Sequence, residues 1–165
     1  MINENALCKL ITSYNTRNIV NLREDGFQYC NGFIAAECGF EHRKVLAKLI
    51  NVGALKGKFE PEQSLDLAEI LKAKNEVPAV KTDYFRQCED QLAYVFKIDD
   101  GYYLYNKAYI DIFENVTYKA DSTGAYKMAL RVYDQDKLVG IVLNMRVKEI
   151  VRLDAEMQEL EMNLK

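Results

Sequence analysis

Residues 105–147 restrict the fold of this chain more than any other segment of the sequence. They begin with YNKAYIDIFENV, in which Tyr109, Ile110 and Phe113 recur at the spacing of one helical face over residues 107–115, directly after a β-type run. They continue with KMALRVYDQDKLVGIVLNMRV, in which two alternating runs flank a short turn. This order predicts a short helix between antiparallel strands, and it contains no motif for catalysis.

The first half of the chain also alternates between strand and helix signals. Turn dipeptides at residues 25–26 and 31–32 separate runs that are typical of strands, which predicts a hairpin. Apolar residues lie on one helical face over residues 5–14 and 41–52. Residues 79–105 return to β-type alternation, so we expect helices that lie between blocks of strands.

These patterns predict an α+β fold, with antiparallel sheets and with the helices on one face. Residues 1–147 are expected to form one domain from two successive β-α-β units, because the whole chain is shorter than the length at which single cores divide. Residues 53–78 predict a helical segment inserted between the two units, with Pro61 in its first turn. Residues 148–165 predict a C-terminal amphipathic helix.

The predicted C-terminal helix carries an apolar stripe whose members are spaced three, four, three and four residues apart. The stripe consists of Ile150, Leu153, Met157, Leu160 and Leu164. A helix of about two heptads is too short to form a stable coiled coil unaided. The stripe therefore either packs on the sheet of its own domain or forms the interface of a homodimer. In the second case these five residues are the oligomerisation residues of a homo-oligomer.

Charge and hydrophobicity argue against several classes of protein. Lysine and arginine number 22 against 25 aspartate and glutamate, so the net charge is −3 and direct binding of nucleic acid is not expected. No stretch is as long and apolar as a membrane span requires. The segment MINENALCKLITSYN lacks the pattern of a secretory signal. We therefore expect a cytoplasmic protein with no membrane association and with reduced cysteines.

The sequence offers little for catalysis or metal binding. His42 is the single histidine, and Cys38 and Cys30 are the thiols that could join it at a metal ion. Zinc sites usually have four ligands at short paired spacings, and no fourth ligand is visible. Pairs of carboxylates lie at turns or at a helix start, where acidic residues are favoured for local reasons. We therefore predict a protein that is not an enzyme and has no catalytic residues, metal or cofactor.

Two motifs in the second half resemble the end of the bacterial sliding clamp, the β subunit of the replicative polymerase. In that family a strand leads into a helix of the type F-N-x-x-Y-L-x-D-x-L, and the protein finishes on a strand with M-P-M-R-L. The residues that carry the resemblance are Tyr105, Asn106, Tyr109, Ile110, Asp111 and Phe113 in the first motif, and Leu143, Asn144, Met145, Arg146 and Val147 in the second. Asp111 and Phe113 each stand one position before the aspartate and the last leucine of the family motif. Asn144 replaces the proline of the family motif.

The resemblance implies a clamp-like domain over residues 1–147. A clamp subunit has three such domains and this chain has room for one, so the resemblance implies a single domain that binds another protein. Small domains of this kind look like accessory proteins of phages or other mobile elements, with partners in replication or host defence. In clamps the last strand helps to form a peptide-binding groove, which assigns protein binding to Leu143, Met145 and Arg146. The other interpretation makes Met145 a core residue and Arg146 a surface residue at a strand end.

Acidic clusters support a different function. They lie at residues 60–69, 83–100 and 149–161, and a surface of this kind can imitate the charge of nucleic acid. The alternative function is therefore an acidic inhibitor of a host nuclease, of the anti-defence or anti-CRISPR type. Its binding would weaken steeply with added salt, because salt screens exposed charges.

Overall fold

Nine strands and four helices make up the part of the chain that the computed structural model describes, which is residues 1–13, 18–53, 75–123, 127–146 and 150–164. The helices are α1 (Glu4–Ser13), α2 (Arg43–Asn51), α3 (Lys107–Ile110) and α4 (Ile150–Asn163). The strands are β1 (Ile19–Leu22), β2 (Gly26–Cys30), β3 (Ile34–Gly39), β4 (Glu76–Cys88), β5 (Gln91–Ile98), β6 (Gly101–Asn106), β7 (Thr117–Asp121), β8 (Leu130–Asp134) and β9 (Lys137–Val142).

All nine strands belong to one antiparallel sheet with the order β1-β2-β3-β9-β8-β7-β4-β5-β6. The strand β4 joins the two halves of this sheet. Its first residues, Glu76–Pro78, pair with β7, and the rest of the strand pairs with β5. The predicted α+β class with antiparallel strands is therefore confirmed.

The main core lies on one face of the sheet, because side chains alternate along each strand. In β5, Tyr94, Phe96 and Ile98 face this core, whereas Ala93 and Val95 face the opposite side. The first three helices add buried residues to the main core: Leu7, Leu10, Ile11, Val45, Leu49, Tyr109 and Ile110. The helix α4 packs on the opposite face of β5 and β6. Three helices therefore share one face, and the C-terminal helix covers part of the other.

The sheet curls until its last strand approaches the end of β9. In a flat sheet β9 and β6 would lie five strand spacings apart, or about 24 Å. Val142 ends β9, yet the N–H of Met145 donates to the carbonyl oxygen of Leu104 in β6 at 2.8 Å. Three residues of extended chain span only about 10 Å. Curvature must therefore bring β6 beside the end of β9.

The helix α3 is shorter than the helix predicted over residues 107–115. The side chain of Asn106 caps its start by accepting a hydrogen bond from the N–H of Ala108 at 2.9 Å. The helix ends after four residues, because the chain then pairs with the N-terminal segment. Ile2 and Phe113 form an isolated antiparallel bridge. A long-range contact thus replaces the last helical turn, while Phe113 stays buried as predicted.

Several predictions concern residues outside the described part of the chain. The predicted helical insertion falls mainly on residues 54–74, and the proposed boundary between domain and tail falls on residues 147–149, which include Val147. Residues Glu76–Pro78 belong to β4, so the predicted insertion ends before them. The short strand β1 was not predicted, and it pairs with β2.

Candidate functional site

The residues predicted to bind a protein lie in a segment that crosses from β9 to β6, residues 143–146 (the crossing segment). The N–H of Leu143 donates to the carbonyl oxygen of Phe33, just before β3, at 2.9 Å. The N–H of Met145 donates to the carbonyl oxygen of Leu104 in β6 at 2.8 Å. These two hydrogen bonds fix the backbone of the crossing segment at both of its ends.

The side chains of Leu143 and Met145 contact two different apolar clusters. Leu143 is half-buried against a cluster on the outer face of β3 and β9. That cluster consists of Ala35, Ala129 and Ile141. Met145 is half-buried against the cluster that β5, β6 and α4 form, and Arg146 is exposed. The crossing segment therefore bridges two apolar clusters on the face away from the main core and leaves part of each side chain accessible.

Phe33, whose carbonyl oxygen accepts the hydrogen bond from the N–H of Leu143, has a large exposed side chain. It is 52% exposed, although the turn before it is well fixed. The side-chain oxygen of Asn31 accepts hydrogen bonds from the N–H groups of Phe33 and Ile34, both at 3.0 Å. The ring stacks on Tyr109 of α3, with 6.5 Å between centroids and 13° between planes. The sequence patterns do not indicate Phe33 as a site residue, and their one signal for it is its position directly after a predicted turn.

The helix α4 forms one side of this surface. Leu153 and Met157 are each 3% exposed and belong to the same cluster as the side chain of Met145. Of the two alternatives for the apolar stripe, packing on the chain's own sheet is what the structure shows for these two residues. Leu160 and Leu164 are 42% and 76% exposed.

The described side chains of the stripe are therefore divided between a buried and an exposed group. The side chain of Ile150 lies outside the described part of the molecule. A role of the stripe in oligomerisation stays a prediction.

Acidic groups along α4 pair with the sheet. The ion pairs are Arg86 with Glu156 at 2.6 Å and Lys97 with Glu161 at 3.2 Å. The carboxylate of Asp154 accepts a hydrogen bond from the N–H of Tyr102 at 2.9 Å. The hydrogen bond with Glu161 is the main reason why the pKa of Lys97 is raised, and burial is the main reason why the pKa of Tyr102 is raised. The position of α4 is therefore set by charge as well as by apolar contacts.

The structure does not gather metal ligands around His42. Its Nδ1 atom lies 3.1 Å from the carbonyl oxygen of Gly39. Cys38 is buried in the main core, where burial raises the pKa of its thiol to about 12, and Cys30 packs on the other face of the sheet. Within the described ranges, no three histidine, cysteine, aspartate or glutamate side chains are placed to hold a metal ion.

Comparison with known proteins adds no assignment. No protein-family model, curated protein or solved structure matches this chain. The resemblance to sliding clamps therefore rests on the two sequence motifs alone. Among the helices that the structure describes, none is long and apolar enough to cross a membrane.

Proposed function

We propose that this chain is a non-enzymatic, clamp-like protein-binding module of a phage or other mobile element. In this proposal the crossing segment and Phe33 bind an extended segment of a replication or host-defence protein. The observation that carries the proposal is a backbone fixed by two hydrogen bonds, which leaves Leu143 and Met145 partly exposed on the outer face of the sheet and has the exposed Phe33, whose ring stacks on Tyr109, as one of its hydrogen-bond partners. Protein interfaces obtain most of their binding energy from a few such anchors.

The order of the elements supports the clamp-like part of the proposal. The strand β6 leads directly into α3, and the three strands β7, β8 and β9 follow. Asn106, which matches the asparagine of the first clamp motif, is the residue that caps α3. Met145, in the second motif, is hydrogen-bonded to Leu104, which directly precedes the first motif. The two resembling motifs are therefore neighbours in space, although three strands separate them in the sequence.

The chemistry of the surface defines the segment that would bind. Phe33, Leu143 and Met145 offer apolar contacts, and the exposed Arg146 offers a cation at one end. Arginine pairs with carboxylates in a fork geometry that lysine does not reproduce. The partner segment is therefore an extended peptide with two apolar residues and one acidic residue.

Binding of short peptides tests this proposal. The panel consists of labelled peptides that each contain two apolar residues and one acidic residue, and it includes the glutamine- and leucine-containing peptides that bind sliding clamps. Each peptide is titrated with the chain, and binding is followed by fluorescence anisotropy. We expect Phe33→Ala to weaken binding about tenfold, because it removes the most exposed anchor of the surface. Arg146→Glu should abolish the preference for acidic peptides.

The matched control is Phe40→Ala. Phe40 is also a surface phenylalanine, 44% exposed, and it lies at the opposite end of β3. Binding should be unchanged in this variant. Equal losses at Phe33 and Phe40, or no binding of any peptide to the unaltered chain, would show that the crossing segment is not the binding surface.

The inhibitor that imitates nucleic acid remains the second hypothesis. Its acidic cluster at residues 149–161 includes Asp154, Glu156 and Glu161, each of which has a partner on the sheet. Part of that charge is therefore neutralised within the chain. For this reason we place the protein-binding function first.

A further inference from the structure

A cavity between α1 and α3 has the size of a small-molecule site. Its volume is about 680 Å³, and pockets for small ligands generally measure about 300–1,000 Å³. One wall is α1, and the other walls are α3, the residues that directly follow α3, and the strands β4 and β7. Residues 143–146 do not line this cavity, which we call the α1–α3 cavity. It is therefore separate from the crossing segment.

The α1–α3 cavity has an apolar floor and free hydroxyl groups. Leu10, Ile110 and Phe113 line it and are 3%, 2% and 5% exposed, so they belong to the main core. Ser13 and Tyr118 line it as well, and their hydroxyl groups have no hydrogen bond to the described residues. Small-molecule sites typically combine an apolar lining with a few polar groups that orient the ligand. The cavity has both components.

Two cations at the α1–α3 cavity are not neutralised. The ammonium groups of Lys9 and Lys81 have no carboxylate partner in the part of the chain that the structure describes. The Nζ atom of Lys81 lies over the ring of Tyr94, 3.6 Å from its centroid, and Tyr94 is itself 7% exposed. A contact with an aromatic face positions an ammonium group and leaves its charge in place. Lys81 is therefore held at the cavity as a cation without a counter-ion.

The two carboxylates at the α1–α3 cavity already have partners. Asp111 pairs with Lys107 and accepts a hydrogen bond from the hydroxyl of Tyr94 at 2.8 Å. Glu114 accepts a hydrogen bond from the side-chain amide of Asn3 at 2.5 Å. Together with Lys107, three ammonium groups stand against two carboxylates, which leaves one positive charge uncompensated. A cleft with an excess of one sign of charge attracts ligands of the opposite sign.

A second cavity has the opposite balance of charge. Its volume is about 610 Å³, and the ends of β3 and β9 contribute to its lining. Among the described residues that line it, Lys137 is the single lysine, and the acidic residues are Glu4, Asp25, Glu37, Glu41 and Asp134. An anion would be repelled there. The two cavities thus differ in charge at nearly equal size, which makes the second one an internal control.

We propose that the α1–α3 cavity binds a small anion that carries a phosphate or carboxylate group on an apolar ring. Lys9 and Lys81 pair with the charged group, and the hydroxyl groups of Ser13 and Tyr118 donate hydrogen bonds to it. The ring of the ligand packs on the apolar floor. This site shares no residue with the proposed peptide-binding surface, so the inference does not depend on that proposal.

Phenyl phosphate is the probe that tests this site. It is titrated into the whole chain and followed by amide chemical shifts in NMR, with the neutral analogue benzyl alcohol and the cationic analogue benzylamine in parallel. We expect phenyl phosphate to bind at least about tenfold more tightly than either analogue, because only the anion pairs with the lysines. Lys81→Gln and Lys9→Gln should each weaken its binding about tenfold, whereas Lys81→Arg, which keeps the charge, should weaken it less.

The matched control is Lys137→Gln. It removes the same charge from the chain, but at the second cavity, so it should leave the affinity for phenyl phosphate unchanged. Equal losses in Lys137→Gln and Lys81→Gln would overturn the proposal, because they would reflect general attraction between charges. So would equal affinities for phenyl phosphate and benzyl alcohol, or shift changes that leave the residues around the α1–α3 cavity unaffected. Inorganic phosphate that binds as tightly as phenyl phosphate would contradict the role of the apolar floor.

Discussion

Tyr105 fixes a backbone conformation that few side chains adopt. Met128 has a φ of 62°, in the left-handed region that disfavours residues with a side chain. Its carbonyl oxygen accepts a hydrogen bond from the hydroxyl of Tyr105 at 2.6 Å, and its N–H donates to the carbonyl oxygen of Asp121 at 3.0 Å. Tyr105 is completely buried, and burial raises the pKa of its hydroxyl. A backbone conformation strained in this way persists only where surrounding contacts hold it in place, as the hydrogen bond from Tyr105 does here.

Tyr105→Phe should therefore lower the free energy of unfolding by about 1–3 kcal/mol, because it leaves the carbonyl oxygen of Met128 without its buried donor. Urea denaturation measures the change. Tyr103→Phe is the control, since this half-buried hydroxyl has no hydrogen bond to the described residues, and we expect a change within about 0.5 kcal/mol. Equal effects of the two substitutions would contradict a specific role for the Tyr105 hydroxyl.

Elements with local signals were predictable, and elements set by distant partners were not. The periodicity of α1 and α2 and the turns of the hairpin identified these elements to within a few residues. The strand β1 was missed because it has only four residues and depends on pairing with β2. The need for glycine at position 140 in β9 also depends on a distant partner and could not be predicted from local signals. A side chain there would overlap Phe113, which only the folded sheet brings close.

The two methionines of α4 allow its docking to be tested within a single helix. Met157 is 3% exposed and Met162 is 76% exposed. Met157→Ala should raise the rate of hydrogen exchange throughout α4, because it removes one of the two buried anchors. Met162→Ala should leave exchange in α4 unchanged. Hydrogen exchange followed by mass spectrometry makes this comparison, and equal protection in the two variants would show that the cluster with Met145 does not hold the helix.

The candidate surface exists only because the whole sheet is curved. The motif at the end of β9 pointed to Leu143, Met145 and Arg146, but it gave no information about their neighbours. Phe33 reaches the crossing segment through strand pairing of β3 with β9, and Leu104 reaches it through the curl that brings β6 near. Both depend on the order of all nine strands. Sequence patterns within single elements do not contain that order.

The tyrosines couple the stability of the whole molecule to alkaline pH. Burial is the largest cause of a raised pKa at Tyr29, Tyr105, Tyr118 and Tyr133. At Tyr133 the hydrogen bond to the carboxylate of Glu76, at 2.6 Å, adds to the shift. These residues lie on β2, β6, β7 and β8. Ionisation of these tyrosines would therefore disturb the packing of four strands of the sheet.

Stability should fall as pH rises from about 10 to about 12. Unfolded tyrosines ionise near pH 10, whereas the pKa values of Tyr118 and Tyr133 are raised to about 12 in the fold. The unfolded chain then binds fewer protons than the folded chain, so the free energy of unfolding decreases with increasing pH. Below about pH 10 both states keep these protons and this contribution is constant. Urea denaturation at constant ionic strength measures the slope, which Tyr118→Phe should reduce. A flat profile over this range, or complete tyrosinate absorbance of the folded chain near pH 10, would contradict the burial of these hydroxyl groups.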